Sequence, residues 1–182
     1  MRPESTHLAR TGGSPARAMA AGLFALFIAP AMAGPHEHGV VYLDVAVDGP
    51  VLSARMRAPL EGLLGFERVP RTAQERQAAS DLLAHLAQPG SVLQPAPAAG
   101  CEPLPSELQA DVLQGRSGAQ GGHAELQAQY QWRCADPEKL NAATVQLFDA
   151  YRRVRRMEVQ VAGARGQSRA TLRASDRTLR LR

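Results

Sequence analysis

Residues 123–134 read His-Ala-Glu-Leu-Gln-Ala-Gln-Tyr-Gln-Trp-Arg-Cys. Ala124, Leu126, Ala128, Tyr130, Trp132 and Cys134 fall on one face of this stretch, and His123, Glu125, Gln127, Gln129, Gln131 and Arg133 on the other. Successive side chains of an extended chain point to opposite sides, so this unbroken period of two predicts a strand with one buried face. The buried face ends in a cysteine.

The same period recurs on both sides. Upstream, Val41, Leu43, Val45 and Val47 alternate with Tyr42, Asp44, Ala46 and Asp48. Asp48-Gly49 is a hairpin signal, and the return strand turns Leu52, Ala54, Met56 and Ala58 inward and Ser53, Arg55 and Arg57 outward. Leu108, Ala110 and Val112 alternate with Glu107, Gln109 and Asp111 as a further strand. Downstream, residues 144–148 read as a short strand, and residues 149–156 as a basic turn or one helical turn. Met157, Val159 and Val161 lead through a turn at 163–166 to Ala170, Leu172 and Ala174, a second hairpin. The period lengthens in one place. After Pro70, the run Thr72-Ala73-Gln74-Glu75 is a capping box, and Ala78, Ala79, Leu82, Leu83 and Leu86 follow at helical spacing until Pro89-Gly90. This predicts one amphipathic helix over 72–88. The fold class is therefore α+β: mainly antiparallel strands and hairpins, one principal helix and one disulfide. Strand order is not encoded in these patterns.

The N-terminus predicts export. Arg2, Arg10 and Arg17 precede an apolar run at 18–29, then Pro30 and the small-residue signature Ala31-Met32-Ala33. This is the layout of a cleavable signal peptide over 1–33, and the apolar run is shorter than the about 20 residues that span a bilayer. No later stretch is apolar enough to cross a membrane. The mature chain, 34–182, is expected to be a single periplasmic domain without a membrane span. Cys101 and Cys134 are the only cysteines, and in an oxidising compartment such a pair predicts a disulfide. The formal charge of +4 falls to +2 once three arginines and Glu4 leave with the signal, which gives no argument for a nucleic-acid partner.

No nucleophile motif, zinc-protease motif or paired-carboxylate spacing is present, so the chain reads as no enzyme. Metal ligation has the better claim. His36-Glu37-His38 stands just before the first strand, and His123 and Glu125 project from one polar strand face. If the N-terminus lies beside that strand, His36, His38, His123 and Glu125 close one site of imidazole and carboxylate donors. The alternative for the same residues is a solvated terminus and a polar surface. Cleavage after Ala33 would leave Gly34-Pro35-His36, and Pro35 has no amide proton to give up to a square-planar copper or nickel chelate. His85 reads as a helix-boundary residue. Arg152, Arg153, Arg155 and Arg156 form a basic cluster, either a solvated turn or a contact for an anionic surface.

Taken in order, these pieces resemble the ZrgA-like family of periplasmic proteins linked to zinc uptake. The resemblance runs from His36-Glu37-His38-Gly39 through Ala58-Pro59-Leu60-Glu61-Gly62-Leu63-Leu64-Gly65-Phe66-Glu67, Pro70-Arg71-Thr72 and Gly100-Cys101. It continues through His123-Ala124-Glu125-Leu126, Tyr130 and Cys134 to Leu147-Phe148, Val159-Gln160-Val161 and Gly166-Gln167. It implies a periplasmic accessory that binds zinc and passes it toward a transporter component of the envelope. Two features depart from the family. The His/Asp-rich stretch that many members carry before the position of His123 is reduced here to residues 117–122, and Arg68 stands where a His often follows Phe-Glu. The alternative function is a metal-independent, non-catalytic interaction domain of the envelope.

Overall fold

A computed structural model of the chain describes residues 38–114 and 124–181. Every described residue belongs to the compact unit Pro35–Arg182. The segment read from the sequence as a signal peptide, 1–33, the Gly-rich stretch at 115–122, His36 and His123 lie outside the described residues.

In chain order the elements are β1 (Val40–Asp48), β2 (Val51–Pro59), α1 (Leu60–Leu64), α2 (Ala73–Leu86), β3 (Leu93–Pro95), β4 (Cys101–Pro103) and β5 (Glu107–Gln109). Then come β6 (Glu125–Cys134), β7 (Ala142–Val145), α3 (Leu147–Ala150), β8 (Arg156–Gly163), β9 (Gly166–Leu172) and β10 (Thr178–Arg180). Seven strands form the large sheet in the order β4-β6-β2-β1-β8-β9, with β5 also on the outer edge of β6. The small sheet is β10-β7-β3. All pairings are antiparallel except β1 with β8. Among the described residues no helix is long and apolar enough to cross a membrane.

The predicted α+β class, both hairpins and the long strand at 125–134 are found. Asp48 itself remains in β1, opposite Val51, so the first hairpin turns through Gly49-Pro50. Gly49 has φ 52, the sign a type II′ turn needs at its first central position. The inward residues of β1, β2, β6 and β8 join Leu82 and Leu86 of α2 and Leu93, Val145 and Leu179 of the small sheet in one hydrophobic cluster. Tyr130 is buried there and donates its hydroxyl to the Leu86 carbonyl at 3.0 Å, which satisfies a polar atom of the core.

Helix α2 begins as predicted. Thr72 Oγ1 accepts from the Glu75 amide at 3.1 Å, and Glu75 Oε2 accepts from the Thr72 amide at 3.2 Å. It ends at Leu86 rather than 88, because the chain turns into a 3-10 turn at Pro89–Ser91. Cys101 and Cys134 face each other across β4 and β6 and are joined by a disulfide.

Three strands stop or start differently from the sequence reading. The strand through Leu108 ends at Gln109, and Val112 lies in a turn closed by the Leu113 amide on the Ala110 carbonyl. β9 ends at Leu172, so Ala174 is not part of the hairpin. Both stops fall short of a like-charge pair. Two further residues of β5 would set Asp111 opposite Glu125, and one of β9 would set Arg173 opposite Arg156. Like charges placed opposite each other destabilise a ladder. The strand read at 144–148 is β7 at Ala142–Val145, and Leu147 and Phe148 belong instead to the buried side of α3.

Candidate metal centre

One end of the large sheet gathers the start of β1, the end of β2 and the start of β6. Pro59 is the register partner of Glu125, and the Leu60 amide donates to the Ala124 carbonyl at 2.9 Å. Residues just before β1, just after β2 and at the head of β6 therefore converge there.

His38 is placed by the glycine that follows it. Gly39 has φ 77, and a Cβ on it would lie 2.7 Å from the Arg153 carbonyl oxygen. Its own carbonyl accepts from the Arg155 amide at 2.8 Å. No side chain fits this approach, so the chain enters β1 clamped against residues 153–155. Glu61 is placed by α1, whose Leu60 and Leu63 are buried. Gly62 lies against Gly39 in turn, since a Cβ on Gly62 would stand 3.8 Å from the Gly39 Cα. Gly65, at φ 85, ends the helix by donating its amide to the Glu61 carbonyl at 2.8 Å. The distinctive Pro-Leu-Glu-Gly-Leu-Leu-Gly run is thus a single capped turn packed onto the entry to β1.

The outcome is a contact between His38 Nδ1 and Glu61 Oε2 at 3.3 Å, with the imidazole 67% exposed and the carboxylate 35%. Glu61 was not among the residues read from the sequence as ligands. It sits in a five-residue helix with no strong period, and its one signal was its place in the distinctive run. Glu125 is half-buried at the head of β6 and accepts from Gln127 Nε2 at 3.2 Å. Of the four residues expected to form the site, His38 and Glu125 are described and stand at this same end. His36, two residues before His38, and His123, next to Ala124, are outside the described residues. Among the described residues no group of three or more His, Cys, Asp or Glu side chains is gathered tightly enough to hold a metal ion.

A family model described as ZrgA family zinc uptake protein matches residues 35–181. The chain belongs to the ZrgA family. Membership connects this ZrgA-family chain with zinc uptake, as the resemblance implied. No curated protein matches it.

Other residues singled out from the sequence have structural work in this ZrgA-family fold. Arg68 donates to both oxygens of Glu75, at 3.0 and 2.6 Å, and lies over the Phe66 ring. That pair, helped by the Arg71 amide, holds the Glu75 carboxyl down at about 2. His85 meets the Tyr151 hydroxyl through Nδ1 at 2.9 Å, and burial pushes Tyr151 up to about 12. In the basic cluster Arg152, Arg153 and Arg155 are exposed and Arg156 is half-buried. Arg153 borders Gly39 and Gly65, and Arg156 pairs with Glu158 at 2.7 Å.

Proposed function

We propose that this chain is a zinc-binding accessory protein of zinc uptake, exported to the periplasm through residues 1–33 and passing metal toward a transporter component. It transforms no substrate in this reading. The observation that carries the proposal is the His38–Glu61 contact at the end of the sheet where Glu125 also stands. A carboxylate that accepts a hydrogen bond from Nδ1–H fixes the imidazole tautomer and leaves the Nε2 lone pair outward for a metal, the usual support of a metal-ligating histidine. Imidazole nitrogen and carboxylate oxygen suit zinc, which takes four ligands in its closed sites. His38 and Glu125 supply two of them, and His36 and His123 adjoin them in sequence. The exposure of His38 suits exchange rather than storage. The side chain of Arg155 borders Gly39 and the guanidinium of Arg153 borders Gly65; both place positive charge near this end of the sheet, and this favours release of a cation.

The test is calorimetric titration of zinc into the purified, tag-free protein above pH ~6.5, where imidazole is uncharged. The triple change His36→Ala, His38→Ala, His123→Ala abolishes binding. Glu61→Gln weakens it about 10–100-fold, the usual effect of losing an orienting partner. Absence of zinc binding by the unaltered chain would overturn the proposal in favour of a metal-independent interaction domain.

A further inference from the structure

The polar face of the large sheet holds a hollow of about 790 Å³, lined by segments of the five strands from β6 across to β9. Three register rows cross this face and differ in character. In one row Gln131, Ser53, Ala46, Ala162 and Gln167 are partners in turn. Its small central residues leave the space open. In the row formed by Gln127, Arg57, Tyr42, Glu158 and Thr171 the polar groups serve one another. There Arg57 lies over the Tyr42 ring, and Glu158 accepts from Thr171 at 2.8 Å and from Arg156 at 2.7 Å.

The row between them is built from Gln129, Arg55, Asp44, Gln160 and Arg169. All five line the hollow. Among the described residues, no ion pair or side-chain hydrogen bond engages Asp44, Gln160 or Arg169. A carboxylate, an amide and a guanidinium therefore stand in line across β1, β8 and β9, facing the same open space. Neighbouring strands are about 4.8 Å apart, so Asp44 and Arg169, two strands apart, are separated by roughly 10 Å. An extended chain advances about 3.3–3.6 Å per residue, so roughly three residues cover that span.

We propose that this hollow binds a short peptide of about three residues with free ends. Asp44 takes the peptide ammonium, Arg169 its terminal carboxylate in a bidentate pair, and Gln160 a central peptide group. Arg55, on the far side of Asp44, bounds the slot. The small row of Ala46 and Ala162 makes room for side chains. Strand residues of a rigid sheet hold the two charges at a fixed spacing, so the site selects ligand length as well as charge. The proposal is independent of the metal centre, which involves none of these residues.

The probe is trialanine, titrated into the purified protein and followed by amide NMR shifts. Binding is expected to move resonances of β1, β8 and β9. Acetylating the peptide amine, or amidating its carboxylate, weakens binding about tenfold or more, the scale of one charge-assisted hydrogen bond. Asp44→Asn removes the penalty of acetylation, and Arg169→Gln removes the penalty of amidation. Both changes are on the open face, and thermal melts check the fold. If a variant proves unfolded, the blocked peptides on the unaltered protein decide. His38→Ala leaves trialanine binding unchanged. No binding at millimolar trialanine, or equal binding of the doubly blocked peptide, overturns the proposal.

Discussion

Replacing Gly39 by alanine tests the account of how His38 is held. Two costs combine. Gly39 sits at φ 77, and an L-residue held in the left-handed region costs about 1–2 kcal/mol. The new Cβ would also stand 2.7 Å from the Arg153 carbonyl oxygen, a backbone atom that cannot rotate away. The two segments must part, which strains the Arg155 amide to Gly39 carbonyl bond of 2.8 Å at about 0.5–1.5 kcal/mol. Gly39→Ala is therefore expected to destabilise the fold by about 2–3 kcal/mol. Gly49→Ala is the matched control. Its φ of 52 is likewise positive, but nothing lies within 4 Å of its added Cβ. Urea denaturation of both variants isolates the contact as the difference between them, about 1 kcal/mol or more against Gly39→Ala. Equal losses for the two would refute the clamp on residues 153–155, and with it the reason given for the position of His38.

The disulfide and the cap of α2 give two more outcomes. Changing Cys101 and Cys134 together to serine opens a loop with a sequence separation of 33 and is expected to cost about 3.5–4 kcal/mol in the loop-entropy account; urea denaturation of the oxidised protein against the double variant measures it. Glu75 gives a pH signature. Its carboxyl falls from 4.5 to about 2 on folding, so its contribution is full above pH 4.5 and is lost as the pH drops through about 2. Thermal melts across that window should fall less steeply for Glu75→Gln than for the unaltered chain, and identical slopes would count against the Arg68–Glu75 cap.

The local pieces of the fold were legible because each carries its own period or signal. The alternation at 124–134, the glycine of the first hairpin and the Thr72–Glu75 box all act over a few residues, and all reappear. Partnership was not legible. Val40–Asp48 has the same alternation whether its neighbour is β8 or any other strand, and the parallel pairing with β8 depends on burial across the whole sheet. Strand ends depended on residues far away in sequence. Asp111 and Arg173 look compatible with their strands until Glu125 and Arg156 are set opposite them. The site follows the same division. His38 and Glu125 were visible as donor types, whereas Glu61 becomes relevant only through its contact with His38, which Gly39 and Gly62 make possible.

The pairing of β1 with β8 also has a consequence for the order of assembly. The first strand lies in the middle of the sheet, yet its neighbour on one side is made about 116 residues later, Val40 opposite Arg156. The hairpin of β1 and β2 can form early, but β1 keeps one bare edge until nearly the whole polypeptide has emerged. The anchor for Gly39, residues 153–155, arrives at the same late moment. Folding is thus slow to commit by construction, and the imidazole of His38 reaches its place beside Glu61 only with the closing contacts, so that a chain interrupted before β8 carries the histidine but not its setting.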